Sequence, residues 1–472
     1  MNKIIIIAAL SILASEVLNA QNSHYWTQQY GNQSLLLGGA VTGSVTDLGS
    51  VYYNPGFLAL QENAAFSITA KLLQFTNVSI EDGLGDNIDL NKNTFGNAPG
   101  LIAGVFSLNF LPKSKFAYAY LTRRSNEIDF VYRTQGNFDV LPNNPGTEEF
   151  TGEIILIDKN NEYWGGWSWS YPLNENIGIG LSNFFTITSS KSELNIDLAA
   201  LAPDNHIVTL NRVRQYEYNN YGMIFKAGIA IKYPKFSAGI AITAPKINIT
   251  GTGFMYTKTI MAGMDTSYTT SGNNFFETNY QDNLPTTLKS PISIAAGAGY
   301  KLNKFTLHIS GEWFDKVNKY TVMTAEPFVG QSTGNTHYNS IVEELSSIIN
   351  GGVALEYRFN DRIHYYGGFS TDISAASANQ PIFTELEKEI DNASFRANIY
   401  HFSGGIGLNF EKIHITTGLA YNFGLDTIAR PVNLPDDNDS PIFDPSEKAI
   451  LRINNWKMLF GFSFPVSKKD SR

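Results

Sequence analysis

The chain has 472 residues, is 43% hydrophobic, carries a formal net charge of −9 and contains no Cys. That excludes a disulfide framework and thiolate chemistry, and the acidity argues against nucleic acid as a partner. Mean hydropathy is only −0.15, and no apolar run of about eighteen residues follows the N-terminal segment, so no helix is expected to span a membrane.

The N-terminus reads as a secretory signal over residues 1–20: Lys3 gives the positive region, residues 4–13 the apolar core, and Leu18-Asn19-Ala20 a small residue at the cut. Gln21 is the expected mature start, and with no Cys after the cut the chain is not a lipoprotein. A secreted chain with no membrane helix leaves two classes, a soluble β-protein and an outer-membrane barrel. The 24 Tyr and 31 Phe favour the second, because ring side chains gather at membrane interfaces.

Residues 21–62 precede the first expected strand, which begins near Ala64. Within them, residues 38–60 read GGAVTGSVTDLGSVYYNPGFLAL, a compact irregular stretch rich in small residues. Pro55 fixes its own φ and pushes Asn54 out of the helical region. Gly56 permits a positive φ, and Asn54 can close an Asx-turn.

Beyond residue 63, period-2 alternation marks half-buried strands. Ala117 and Ala119 alternate with Phe116, Tyr118 and Tyr120; Gly166, Ser168 and Ser170 alternate with Trp167, Trp169 and Tyr171. The same holds for Phe305, Leu307, Ile309 and Trp313 against Thr306, His308, Ser310 and Glu312, and for Trp456, Met458, Phe460, Phe462 and Phe464 against Lys457, Leu459, Gly461 and Ser463. In a barrel immersed in lipid the apolar set faces out and the small or polar set faces in.

Six short joints fall at 111–115, 172–176, 232–235, 301–304, 360–362 and 411–412. Seven long ones fall near 82–96, 136–149, 198–206, 256–278, 325–349, 374–392 and 425–449. They alternate strictly, which predicts an all-β chain: a transmembrane antiparallel β-barrel of about fourteen strands over residues 63–465, with 466–472 as a short periplasmic tail. So many strands enclose more space than small inward side chains fill; residues 21–62 are long enough to plug it. The acidic runs at 385–391 and 436–439 read as solvated loop charge.

The small-residue run, then Asp47, then YYNPGFLAL before the first strand resembles the N-terminal hatch of the FadL-type outer-membrane transporters of long-chain fatty acids and other hydrophobic compounds. The usual motif there is Asn-Pro-Ala; Gly56 stands in the Ala position. The resemblance implies a hatch inside the barrel, with Asn54, Pro55, Gly56, Gly38, Gly39 and Asp47 as hatch or gate residues. It also implies uptake of a hydrophobic ligand, its sideways release into the outer membrane past the lipopolysaccharide layer, and a monomer. For a carboxylate ligand, the inward cations Lys226, Arg358 and Lys457 are candidate contacts.

Neither a cofactor nor a metal is expected: the seven His show no ligand spacing, and Gly404-Gly405-Ile406-Gly407 sits in a strand, where it serves packing. No catalytic residue is expected either. His401 and Ser403 share a face but point inward, with no G-x-S-x-G motif. Two other readings stay open: a barrel of the same fold that binds protein, like the shuttle component of the type IX secretion system, and a general diffusion porin.

Overall fold

The computed structural model describes residues 23–61, 64–141, 146–263, 274–376, 390–391, 396–430, 433–435 and 448–465. The expected signal peptide, its cut before Gln21, the tail 466–472 and nearly all of both acidic runs lie outside these residues.

The wall begins with β1 (Ala64–Glu81), β2 (Leu90–Phe106), β3 (Lys115–Phe138), β4 (Glu148–Pro172), β5 (Ile177–Leu201) and β6 (Ile207–Lys232). It continues through β7 (Phe236–Thr243), β8 (Ile247–Ala262), β9 (Phe275–Pro285), β10 (Ser293–Leu302) and β11 (Phe305–Phe314). Over the long-loop end lie β12 (Val317–Met323), the β13 (Phe328–Val329) and β14 (Thr336–His337) hairpin, and β15 (Ile341–Leu345). The wall resumes with β16 (Ile348–Arg358) and β17 (Ile363–Asp372), and after β18 (Ile390–Asp391) ends in β19 (Asn398–Asn409), β20 (His414–Ala429) and β21 (Lys448–Pro465).

Neighbours pair antiparallel all the way round, and β21 pairs back onto β1 from Ala64↔Pro465 to Glu81↔Ile450. β7 and β8 lie end to end along β6, and β10 and β9 continue them on the far side. Counting each such couple as one strand gives a closed barrel of fourteen, as the alternation of joints predicted. Closure pairs the backbone around the whole ring, as lipid demands, except where β2 and β3 part beyond Leu101↔Leu121.

The outer face carries the expected apolar set: Trp167, Ile229, Ile240, Leu307, Ile309, Leu355, Phe402 and Trp456 are exposed, while Ala117, Ala230, Ala241, His308 and Lys457 are buried inward. Ring pairs sit at both edges of this band. Phe106–Phe116 and Phe305–Tyr357 stack near the short turns, and Tyr120–Tyr163 and Phe185–Tyr221 stack at the other edge.

Height is uneven. β3 to β6 run for 24–26 residues, whereas β10, β11 and β17 have 10. Spanning needs only about 9–11, so β3 to β6 project well past the apolar band at the long-loop end. There they meet water on the outer face, and their polar composition imitates loops. Hence several expected loops prove shorter: β2 starts at Leu90, β5 reaches Leu201, β8 reaches Ala262 and β20 reaches Ala429.

The lumen is filled by residues 23–61, which form three short helices, α1 (Asn32–Leu36), α2 (Ser50–Tyr53) and α3 (Gly56–Ala59). Tyr30, Leu36, Leu48, Val51, Phe57 and Leu58 pack with the inward wall residues Leu101, Leu121, Phe184 and Ile224 in one apolar cluster. A second cluster joins Tyr25 and Trp26 of the plug to β12, β15, Tyr216, Tyr218 and Met255 under the long-loop end.

Candidate functional site

Asn54, Pro55 and Gly56 sit directly on the wall. Asn54 is extended, with φ −160° and ψ 101°, as a residue before proline should be. Its Nδ2 donates to the Thr42 carbonyl at 3.1 Å and to the Ile229 carbonyl of β6 at 3.0 Å, while its Oδ1 accepts the Gly56 N–H at 3.0 Å, closing an Asx-turn. Gly56 does not use the positive φ expected of it; it opens α3. Its requirement is steric, since a Cβ there would lie 2.8 Å from the Gly178 carbonyl oxygen and 2.9 Å from the Ala230 nitrogen.

The wall answers in kind. Cβ atoms on Gly178, Gly180, Gly228 and Gly239 would strike Gly56, Pro55 and Asn54 at 2.2–2.4 Å. The inward glycines are therefore seats for the plug, not spare lumen.

Gly38 and Gly39 end the turn after α1 with φ +61° and +76°, a region in which L side chains are strained. Asp47 is buried between α1 and the start of α2. Its carboxylate accepts the backbone N–H groups of Gln33 (2.7 Å), Ser34 (2.9 Å) and Gly49 (2.9 Å), and the Ser34 hydroxyl (2.9 Å). Burial pushes its pKa up while these donors pull it down.

A gap opens in the wall between β2 and β3. These strands pair only from Leu101↔Leu121 to Phe106↔Phe116. Above that rung β2 stays with β1 and β3 stays with β4. Behind the gap lies a cavity of about 220 Å³, lined by Phe95, Gly96, Ser125 and Asn126 from its two edges and by His24, Gln28, His401 and Lys457 within.

Lys457 is only 3% exposed and ends a polar chain crossing four strands. With the Asn422 amide oriented to satisfy its neighbours, its oxygen accepts from Lys457 Nζ at 2.8 Å and its nitrogen meets His401 Nδ1 at 2.8 Å. His401 Nε2 lies 3.9 Å from Asp372. Asp372 in turn accepts the backbone N–H groups of Tyr25 (2.9 Å) and Trp26 (2.8 Å) and the Thr27 hydroxyl (2.9 Å), tying the start of the plug to β17.

A second cavity, of about 80 Å³, lies on the other side of the plug, where the wall strands break between β7 and β8 and between β9 and β10. Lys226 lines it, 5% exposed, with its ammonium 4.6 Å from the centre of the Tyr52 ring. Arg358 lines neither cavity, contrary to its expected place among the lumen cations. It has inward parity, but β16 ends there. Its side chain is 47% exposed at the short-turn rim, beside Asp361 and His364. Ser403 donates to the Leu36 carbonyl at 3.0 Å and not to His401, so the two form no catalytic pair. Among the described residues no group of His, Asp and Glu forms a metal site.

Sequence reasoning missed Arg123 and Asp372. Arg123 occupies a bulge, since Thr122 pairs Tyr163 and Arg124 pairs Glu162; the extra residue sends two consecutive arginines inward. Asp372 ends β17, and nothing in the sequence marks it as an acceptor for the plug.

A closed fourteen-stranded antiparallel barrel with its N-terminal segment packed in the lumen is the FadL-type fold. The chain superposes on the crystal structure of a Pseudomonas aeruginosa FadL homologue with a TM-score of 0.54 at 12% identity, covering 93% of this chain and 99% of that one. The toluene transporter TodX of P. putida (TM-score 0.54, 13% identity) and the toluene transporter TbuX of Ralstonia pickettii (0.50, 14%) match over the same shares. At such identities the likeness is one of fold. No family model and no curated protein matches the chain.

Proposed function

We propose that the chain is a monomeric outer-membrane channel for uptake of hydrophobic compounds, long-chain fatty acids among them. Residues 1–20 are its signal peptide and 23–61 its hatch. The observation that carries the reading is the separation of β2 from β3 in front of the cavity of about 220 Å³. A ligand in that cavity meets the bilayer sideways, without crossing the periplasmic end that the hatch blocks.

The driving force is transfer into lipid, about 0.8 kcal/mol per methylene. The barrel lowers the barrier set by the lipopolysaccharide layer. Lys457 and Lys226 stand where an acidic head group would pass, each inside a cavity. Motion of the hatch about the Asn54-Pro55-Gly56 seat supplies the gate. The solved barrels of this fold include two named toluene transporters, which supports an apolar ligand.

Mass spectrometry of lipids co-purified with the detergent-extracted protein tests this, beside a variant with Asn54 and Pro55 both changed to Ala. Apolar molecules bound to the parent and altered in occupancy in the variant are expected. A ligand-free parent whose loops retain a secreted protein would overturn the reading in favour of a protein-binding barrel.

A further inference from the structure

The cavity beside Lys226 has an unbalanced charge. Arg123, Arg124, Lys226, Lys246 and Lys289 line it against only two carboxylates, Glu162 and Glu312. Both carboxylates are already engaged. Glu312 accepts from Trp26 Nε1 at 2.8 Å and from the Ser293 hydroxyl at 2.6 Å, and Glu162 accepts from Trp164 Nε1 at 2.9 Å.

Among the described residues, the donors of Arg123, Tyr25, Lys246 and Lys226 are not fully matched. Arg123 is 5% exposed and Tyr25 is 7% exposed. Arg123 Nη2 donates to the Tyr25 carbonyl at 2.6 Å, while Arg123 Nη1 and the Tyr25 hydroxyl are buried without an acceptor. Among the described residues the hydrogen-bond partner of Lys246 Nζ is the Thr188 hydroxyl, at 3.3 Å. Among the described residues no carboxylate lies within 4.0 Å of Lys226 Nζ; its neighbour is the Tyr52 ring. Buried donors normally find acceptors, and a guanidinium keeps its charge at any accessible pH.

Access comes from the wall. The segment 288–291 leaves the backbone ladder, and side chains bridge the seam: Lys246 N–H donates to the Ser290 hydroxyl and Leu288 N–H to Asn248 Oδ1. Lys289, at this seam, is both exposed and part of the cavity lining.

We propose that this cavity binds the head group of an amphiphile bearing a doubly charged oxyanion, of which a phosphate monoester is the type. Arg123, Lys226 and Lys246 supply the charge and Tyr25 a hydroxyl donor. A carboxylate would leave most of the cationic surplus unmet. A phosphate monoester brings nearly two charges and three acceptor oxygens, and charge-assisted bonds to such oxygens are the strong ones. The inference rests on the uptake reading for the ligand's apolar tail, but the head-group preference is measured separately.

The test uses the full chain in a neutral detergent at about pH 7.5, where a phosphate monoester is nearly doubly charged, with Trp164 fluorescence or calorimetry as readout. Decyl phosphate, decanoate, decanol and inorganic phosphate are the probes. Decyl phosphate is expected to bind about tenfold more tightly than decanoate. Arg123→Gln and Lys226→Gln should each remove most of that preference and leave decanol unchanged. Lys226→Gln carries the test if Arg123→Gln fails to fold.

Equal binding of decyl phosphate and decanoate, or a preference that survives both substitutions, would overturn the proposal. Inorganic phosphate competing as well as decyl phosphate would assign the site to the free ion and overturn the amphiphile. A barrel that binds decyl phosphate preferentially yet moves no ligand into vesicles would refute the uptake reading and leave the site standing.

Discussion

Asn54 makes three hydrogen bonds of 3.1 Å or shorter through one buried amide, and its substitutions separate docking from turn geometry. Alanine strands two carbonyls and the Gly56 N–H in a water-free seat, a loss of about 1–3 kcal/mol. Aspartate keeps the acceptor for Gly56 but turns a carboxylate toward the Thr42 and Ile229 carbonyls, so it should loosen the hatch more than alanine does. Protease susceptibility of residues 23–61 in detergent checks the order parent, Ala, Asp. His24 makes a pH-dependent prediction. Its Nε2 meets the Ala397 carbonyl at 3.0 Å and its Nδ1 the Ser23 hydroxyl at 3.1 Å, an arrangement suited to the neutral ring. Burial holds its pKa below the ordinary 6.5 and outweighs Asp372, which raises it; Arg124 and His401 add to the lowering. Between the folded and unfolded values the unfolded segment binds more protons, so docking is complete above pH 6.5 and weakens as pH falls below it. The protection factors of the Tyr25 and Trp26 amides, which donate to Asp372, should therefore fall on acidification once the intrinsic pH dependence of exchange is divided out, and His24→Gln should flatten that dependence.

The β2–β3 gap is a property of two elements, and a single residue can block it. A Cβ on Gly96 would meet nothing within 4 Å, and Gly96 lines the cavity behind the gap. Gly96→Trp should therefore occlude the passage, reducing ligand uptake into proteoliposomes by about tenfold or more, with the thermal midpoint little changed because no packed atom moves. Undiminished uptake would place the exit elsewhere. How far such elements can be read from sequence depends on what holds them. The fourteen strands were legible because lipid on one side and a packed lumen on the other enforce period 2, as in Phe305 to Trp313. The hatch turn was legible because Asn54-Pro55-Gly56 encodes its own geometry. The gap was not, because it consists of missing pairing: β2 and β3 each retain one good partner, and nothing in Thr94, Phe95 or Gly96 reports that the other edge is free. The bulge at Arg123 was hidden for a related reason, since one extra residue shifts parity: Arg124, which shares alternation with the outward Tyr118 and Tyr120, turns inward beside Arg123. Arg358 erred the opposite way: its parity was right, but parity does not say where a strand ends.

At the scale of the molecule, two structures are nested and their stabilities are separable. The wall closes through its own backbone ladder, β1 onto β21, and every spanning strand finds its partners without the hatch. The hatch has no sheet of its own. It is held by apolar burial of Tyr30, Leu36, Leu48, Phe57 and Leu58, each at most 2% exposed, and by hydrogen bonds to Asp372, Ile229 and Ser403. Full burial of five such side chains contributes on the order of 10 kcal/mol, all of it lost if residues 23–61 are removed. Deletion of that segment with residues 1–22 kept should still give an inserted barrel, recognisable by its heat-dependent mobility in gels, but with a clearly lower unfolding temperature. The lumen left behind is lined by Gly178, Gly180, Gly228, Gly239, Gly368 and Gly418, which have no side chains to collapse into it. It should fill with water, and planar-bilayer recordings should show a large, ungated conductance absent from the parent. A deletion variant that inserts and remains electrically tight would mean that the long-loop cap, with β12, β15 and the cluster around Met255, seals the barrel alone. The gate would then have to be sought at that end.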